Sequence, residues 1–566
     1  MAEKTSHQIR QEFFDFFREK EHLIVSSAPV VPKEDPTLLF TNAGMNQFKP
    51  IFLGKQEGIK KEGETWKRAA DTQRCIRVSG KHNDLEEVGV DTYHHTLFEM
   101  LGNWSFGDYF KKEAIRWAWE LLVDRWEMEP DRLYATVFEG SKKDGTPVDA
   151  EAIEYWKSET DINPDHILKF DKTDNFWEMG ETGPCGPCSE VHIDLRPEEE
   201  RQKIDGATLV NMDDPKVMEI WNLVFIQFNR KKDGSLDELP DQHVDTGMGF
   251  ERLCAILQGK FSNYDTDVFK PLLQKIEQLS GVKYGEAEET DIAMRVIADH
   301  IRAVSFSIAD GAAPSNEGRG YVVRRILRRA IRYGWERLNL KKPFIHTLIP
   351  VLATQFEEVF PVLKGNIDYV KNVVQSEERS FIQTLGQGIE LFEEMVEGKQ
   401  TLSGDDAFKL HDTYGFPIDL TQLMARERGI EVDVERFEEL MEQQKKRARK
   451  AGNFAASDQD DEEWIPVHES EEFTFTGYDQ YETDTKIRAL RKEQSGGALL
   501  LSKTPFYAES GGQVADTGIL TNGNEHIRVR DVQKSPRGFV HFVDKLPEDP
   551  SGIWRAVIDK ERRLEI

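Results

Sequence analysis

The sequence predicts an α+β protein in three unlike parts. Three observations carry that prediction. Strand-like alternation mixes with helical stretches over residues 1–255, and the pattern from Tyr264 to about Gly452 is almost wholly helical. Beyond Trp464, short strands are divided by Gly, Asn and Pro turns. The divisions that follow are 1–255, a helical region over 256–457, an acidic linker at 458–466, and a β-rich region over 467–566. The last stops inside a charged run, as part of something longer is expected to.

In chain order, Ser6–Lys20 is an amphipathic helix with Phe13, Phe14, Phe16 and Phe17 on a wide apolar side. Pro29, Pro32 and Pro36 break the chain before a short strand at Leu38–Phe40 and a turn at Thr41–Met45. Asp71–Gly107 is the most informative stretch. Its ends alternate as strands, and the charged segment Ser79–Thr92 between them is far longer than a hairpin turn requires. Long loops on rigid strands often carry function, and Arg77 with Lys81 would aim two cations at one pocket; a solvated surface hairpin is the alternative. A helix at Lys112–Trp126 follows, then a strand and a helix between Tyr134 and Leu168.

Asp174–Asp194 contains Gly180, Gly183, Pro184, Gly186 and Pro187, which argue against regular structure. Cys185 and Cys188 have the spacing of half a zinc site, with His192 nearby. The chain offers no second half, so a tight turn beside Trp177 is expected instead. In Glu219–Asn229, the polar Glu219, Asn222, Gln227 and Asn229 interrupt an apolar strand; buried polar groups need partners, and a ligand is one. Val244–Arg252 places Gly247 and Gly249 before a helix that runs to about Leu257, so backbone N–H groups and Arg252 meet at an anion-binding helix start. Arg77, Lys81 and Arg252 as cations for phosphates, with the acidic Glu219 and Asp245 offering one carboxylate able to carry Mg²⁺ and another able to hold an ammonium, describe a nucleotide-plus-amine site. No GxxxxGK[ST] occurs and no GxGxxG follows a strand, which argues against P-loop and Rossmann sites.

In the helical region, the loop Ala309–Gly320 leads into Tyr321–Arg332. Val322, Val323, Ile326, Leu327, Ala330 and Ile331 cover one half of that helix, and Arg324, Arg325, Arg328, Arg329 and Arg332 the other. Five arginines with no acid among them point to a polyanion; salt bridges to distant acids are the alternative. Lys445, Lys446, Arg447, Arg449 and Lys450 form a second basic cluster. Strands are expected at Phe473–Tyr478, Ala498–Ser502, Ile527–Val532 and Gly538–Val543.

With 103 acidic against 74 basic residues, the net charge of −29 disfavours nucleic acid for the chain taken whole, yet leaves room for a local basic face. Four cysteines are too few for a disulfide framework at this length, and the N-terminus lacks the order of a signal peptide, so a reducing cytoplasm is expected. No run of about 18 apolar residues predicts a membrane span.

Several long words stand in one order along the whole chain: LLFTNAGMNQFK (Leu38–Lys49), RCIRVSGKHNDLEEVG (Arg74–Gly89), HHTLFEMLGNWSFGDYF (His94–Phe110), TGPCGPCSE (Thr182–Glu190), EIWNLVFIQFNR (Glu219–Arg230), VDTGMGFER (Val244–Arg252), IADHIR (Ile297–Arg302), SNEGRGYVVRR (Ser315–Arg325), LHDTYGFPIDLT (Leu410–Thr421) and TPFYAESGGQ (Thr504–Gln513). In these words the chain resembles the alanyl-tRNA synthetases, a family of class II aminoacyl-tRNA synthetases.

That resemblance implies a class II catalytic domain over 1–255, an antiparallel sheet flanked by helices. It also implies a helical tRNA-recognition domain over 256–457 and the start of a β-barrel-like editing domain over 467–566. The implied activity is ATP-dependent attachment of alanine to tRNA(Ala) through alanyl-adenylate. Arg74–Met100 is similar to the family's motif 2, with Arg77 on the α-phosphate and Lys81 and Met100 also at ATP. Gly247–Arg252 is similar to motif 3, with Arg252 on the γ-phosphate, and Glu219 would carry Mg²⁺. Asp245, Asn222 and Gly247 would bind alanine, with Trp177 walling its methyl pocket. Asn316 and Asp412 match the family's readers of a G·U pair in the acceptor stem, while Arg324 and Arg325 would hold phosphates; for Asp412 a helix cap is the alternative. Motif 1 is spread thinly, so a monomer is expected. Zn²⁺ is implied only for the remainder of the editing domain, outside this chain. The chain is therefore expected to charge tRNA but not to clear seryl- or glycyl-tRNA.

Overall fold

Alternation in Arg68–Ile76 and Leu97–Phe106 becomes an antiparallel pair, with Ala69 opposite Trp104 and Arg74 opposite Glu99. The structure is a computed structural model describing residues 4–32, 38–79, 82–83, 85, 87–180, 182–426, 428–455, 464–468, 473–477, 480–493, 496–508, 515–535 and 538–565. Of these, 79, 82–83, 419, 445–455, 534, 561 and 564–565 are described by backbone alone. The chain forms two units, Met1–Val432 and Asp433–Ile566.

The first unit is organised on one sheet. Its described strands are β1 (Leu23–Ile24), β2 (Arg68–Ile76), β3 (Leu97–Phe106), β4 (Leu133–Phe138), β5 (Ile167–Phe170), β6 (Phe176–Glu178), β7 (Gly183–Asp194), β8 (Val217–Arg230) and β9 (Leu236–Gly249). They run in the order β1-β2-β3-β9-β8-β7-β4-β5, with β6 paired to β7. The edge pairs β1–β2 and β4–β5 are parallel, and the pairs between are antiparallel. Helix α1 (Ser6–Glu19) starts in a capping box between Thr5 and Gln8 and buries Ile9, Phe13, Phe16 and Phe17, with Phe13 and Phe17 against Trp221 of β8. On this side Arg10 donates twice to Glu99, at 2.8 and 2.9 Å, a buried pairing that spares both charges a lone desolvation.

Three expectations are corrected here. Leu38–Phe40 is not a strand. The helix expected at Lys112–Trp126 is α-helical only over Lys111–Trp119 and continues as a π turn, Glu120–Arg125. Gly180–Pro187 does not abolish regular structure, because β7 begins at Gly183. The register between β7 and β8 shifts between Cys185–Phe228 and Cys188–Val224, so Pro187 sits where the ladder is already interrupted. Gly186 is needed there, since a Cβ would fall 1.9 Å from the Phe225 carbonyl oxygen. The CxxC pair does not converge either: Cys185 packs with Phe138 and Phe176, Cys188 with Met45 and Trp104. Both thiols are buried, and no group of three metal-donor side chains occurs among the described residues.

Helix α2 (Phe250–Leu257) follows β9 directly. Beyond it, the long helices α3 (Glu288–Ala309) and α4 (Gly318–Arg337) pack together, with α5 (Ile367–Val396) and α6 (Gly404–Tyr414) after them. Ser403, not Asp412, caps α6; Asp412 lies exposed in its last turn. The hairpin loop between β2 and β3 is not wholly irregular, for Val78 pairs with Asn83.

In the second unit, β10 (Ile465–Pro466), β11 (Glu482–Lys492), β12 (Gly497–Leu501), β13 (Gly518–Thr521), β14 (His526–Ser535), β15 (Gly538–Val543) and β16 (Ile553–Ile558) form a sheet ordered β10-β11-β12-β15-β14-β13-β16. Pairing of β11 with β16 closes it like a barrel. Leu499, Leu501, Ile527, Val529 and Trp554 fill its core. The strand expected at Phe473–Tyr478 is present at Thr474–Phe475, and Tyr478 lies outside the described residues.

Candidate active site

Cross-strand pairing puts one set of side chains on a single sheet face: Met100 and Trp104 of β3, Asp245 and Gly247 of β9, Asn222 and Val224 of β8, and Glu190 of β7. A cavity of about 420 Å³ lies over this face. Arg77, Met100, Trp177, Glu219, Asn222, Asp245, Gly247 and Arg252 all line it. Residues 175 positions apart in sequence thus meet because β2, β3, β9 and β8 are sheet neighbours. Lys81 lies outside the described residues.

Two cations enter from different elements. Arg77 leaves the end of β2; its N–H donates to the Thr96 carbonyl at 3.1 Å, its Nε to the Asn42 carbonyl at 3.2 Å, and its guanidinium lies 4.9 Å over Phe98. Arg252 stands in the first turn of α2, donates to the Glu219 carbonyl at 3.2 Å and lies 5.4 Å over Tyr93. Neither guanidinium has a carboxylate within ion-pair distance among the described contacts, which leaves donors for an anion.

The acids divide into two sites. Asp245 is buried and accepts from the Trp104 indole N–H at 2.6 Å; burial outweighs that bond and pushes its carboxyl up to about 7. Asp71 beside it accepts from Gln47 at 2.6 Å and is raised well above the usual carboxylate range, chiefly by burial. Glu219 is raised by burial and then by the charge of Glu190, which itself accepts from Asn222 at 3.4 Å and stands 3.1 Å from His192. The neighbouring carboxylates of Glu219 and Glu190 raise each other's cost of ionisation, while the charges of Arg252, His192 and Arg77 act the other way on Glu219. The Asn222 Oδ1 is buried with no hydrogen-bond partner, and Asn222 is among the residues that line the cavity.

The pocket around Asp245 is small. A Cβ on Gly247 would lie 2.9 Å from Met100 Sδ, and Val224 and Trp177 bound the rest. Trp104 was not found from sequence because it lies inside an apolar run; its signal is the pair Gly44 and Gly102, where a Cβ would fall 2.6 and 2.3 Å from the indole. Glu190 was passed over because a glycine- and proline-rich word surrounds it.

Asn316 and Asp412 are exposed and lie away from the cavity. A chain of bonds nevertheless links their neighbourhoods. Arg324 donates to Asn316 and stands 3.1 Å from Glu377; Glu377 also accepts from Arg328 at 2.6 Å, and Arg328 donates to the carbonyl of Gly415, which caps α6. The arginines of α4 therefore have protein partners. Arg325 donates to the Val78 carbonyl at 2.9 Å, Arg329 meets His300 at 2.9 Å, and Arg332 pairs with Glu336 at 2.8 Å. Arg329 and Arg332 are buried, so they form no phosphate-binding surface.

The profile of the family described as tRNA synthetases class II (A) matches residues 8–559. An alanine–tRNA ligase of Cytophaga hutchinsonii is 56% identical over 554 residues, covering 96% of this chain and 62% of the relative. One of Christiangramia forsetii is 54% identical over 567 residues, covering 99% and 64%, and one of Bacteroides fragilis is 54% identical over 568, again covering 99% and 64%. The chain thus spans under two thirds of these relatives' length. With its sheet, paired arginines and buried acids accounted for, the chain belongs to the class II (A) family of tRNA synthetases.

Proposed function

We propose that this chain activates alanine with ATP and transfers it to tRNA(Ala). One observation carries the reading: Arg77 and Arg252, from two different elements, line one cavity with the buried Asp245. Two guanidiniums with spare donors suit a triphosphate, and a buried carboxylate beside Trp177 and Val224 suits the ammonium of a small amino acid. Asn222 assists at the ammonium, Gly247 leaves room for the substrate, and Met100 packs beside the nucleotide.

The alanine carboxylate oxygen attacks the α-phosphorus, the bond to the bridging oxygen breaks, and pyrophosphate leaves. Arg77 stabilises charge on the α-phosphate and Arg252 holds the γ-phosphate, so the protein contributes position and electrostatics without a nucleophile of its own. Glu219 would hold Mg²⁺, which supplies charge neutralisation on the phosphates when bound. In the second step the 3′-hydroxyl of the terminal adenosine attacks the carbonyl, AMP departs, and the hydroxyl proton passes to a phosphate oxygen.

Residues 1–255 would carry this chemistry and 256–457 would read the acceptor stem, Asn316 and Asp412 at the G·U pair and Arg324 and Arg325 at phosphates. The bond chain from Asn316 to the Gly415 end of α6 supports that placement. Beyond the linker at 458–466, residues 467–566 would begin an editing domain. Such a domain is needed because one methylene is worth only about 1–3 kcal/mol of discrimination, and a pocket that admits alanine rejects serine weakly. ATP–pyrophosphate exchange tests the reading: exchange depends on alanine and falls about 10²–10³-fold in Arg77→Ala, as for loss of a transition-state donor. Full exchange by that variant would remove the assignment.

A further inference from the structure

Helix α3 packs against β3, and none of its residues lines the cavity. It nevertheless sends two fully buried charged side chains, Asp299 and Arg302, to the segments that carry the two arginines. Spaced three apart, they share a helix face. Asp299 accepts from the Thr96 N–H at 3.1 Å and from the Thr96 hydroxyl, and stands 3.2 Å from His95 Nδ1. Thr96 is the residue whose carbonyl takes the Arg77 N–H at 3.1 Å. Arg302 donates to Glu251, the neighbour of Arg252, and Glu251 in turn accepts the Glu99 N–H of β3 at 3.1 Å.

The surrounding bonds fix the charge states. Arg329 donates to His300 Nε2 and Asn263 to His95 Nε2, each at 2.9 Å, so the proton of each imidazole is on Nδ1; that of His300 donates to Asp299 at 2.9 Å, and the Nδ1 of His95 stands 3.2 Å from it. Burial, with the charge of Arg329, lowers His300 to about 4, while bonds from the two histidines outweigh burial and hold Asp299 well below the usual carboxylate range. Asp299 is thus an anion held by three hydrogen-bond donors, the Thr96 N–H and hydroxyl and His300, with the His95 ring 3.2 Å away, a costly group to bury without such partners.

We propose that α3 is a brace for ATP activation, with Asp299 and Arg302 as positioning residues that set Arg77 and Arg252 at the separation a triphosphate requires. The inference rests on the assignment of those two arginines to ATP. It predicts that loosening the brace weakens ATP selectively, because Asp245 and Trp104 are held by other contacts.

The test is ATP–pyrophosphate exchange with separate titration of ATP and alanine. D299N and T96A raise KM for ATP about tenfold or more, and alanine KM stays within about twofold, since small misplacements of a positioned group cost orders of magnitude. T96S keeps the hydroxyl donor and restores the ATP KM. Should D299N not fold, T96A with its T96S rescue carries the same test. Unchanged ATP KM in T96A, or an equal rise for ATP and alanine, overturns the proposal, the latter because general loosening of the sheet moves both. R77A separates the two claims. If R77A is inactive while D299N and T96A are normal, the brace alone falls; if R77A exchanges normally, the ATP assignment falls and takes the brace with it.

Discussion

On the proposed assignment of the alanine ammonium to Asp245, this residue sets the pH response of the site. Its carboxyl must be ionised to hold an ammonium, yet burial raises it to about 7 despite the Trp104 bond. The efficiency of exchange with alanine, kcat/KM, is therefore expected to rise with pH through about 7 and to level above it. A flat profile from about pH 6 to 8 would contradict the assignment. Stability follows the same shift with its own sign. The unfolded chain ionises this acid near about 4, so between there and about 7 the native state binds more protons and stability falls as pH rises. Asp245→Asn removes that slope and raises alanine KM by about a hundredfold, read in the same exchange assay, the scale of losing a charge-assisted pairing.

Among elements, β7 carries the clearest lesson. Glycines and prolines at 183–187 argue for a turn when read locally, but the β8 register shift and β6 on the other side recruit them into a strand. Gly186→Ala is expected to destabilise the first unit by about 1–3 kcal/mol in a denaturant melt, because the clash is with backbone that cannot rotate away. Unaltered stability would mean that β7 and β8 separate easily there. The polar and apolar residues of β2, β3 and β8 were legible, and with them Asn222 and, just past β2, Arg77; Asp245 was legible only as an acid beside the glycines before α2, and its strand β9 was not. Arg252 was legible from glycines before a helix. The partners of the α4 arginines were not: Glu377 is 49 residues from Arg328 and meets it only through the packing of α5. Strands β11, β13 and β16 escaped notice for a related reason. Charged residues on the outer positions of β11 and β16 mask their alternation, and β13 has only four residues.

For the whole molecule, a net charge of −29 leaves RNA binding to local surfaces, and Asn316 and Asp412 are exposed where such a surface would be. A minihelix carrying the G·U pair is expected to be charged at least tenfold faster than one with a Watson–Crick pair, the scale of about 1–3 kcal/mol per misread pair. Asn316→Ala and Asp412→Ala should erase the difference, and equal charging of both helices by the unaltered chain would remove these residues from the role. Seryl-tRNA added to this chain is expected to persist, measured as retained ester; rapid release would place hydrolysis within these 566 residues. Alanine activation, as proposed, rests on two arginines and one buried acid that line one cavity. Rapid-quench measurement of aminoacyl-adenylate tests it most directly. Alanine should give adenylate most efficiently, with glycine and serine lower by about 10–200-fold, as a methylene or hydroxyl difference allows. No adenylate with alanine, or a more efficient one with a larger amino acid, would contradict it.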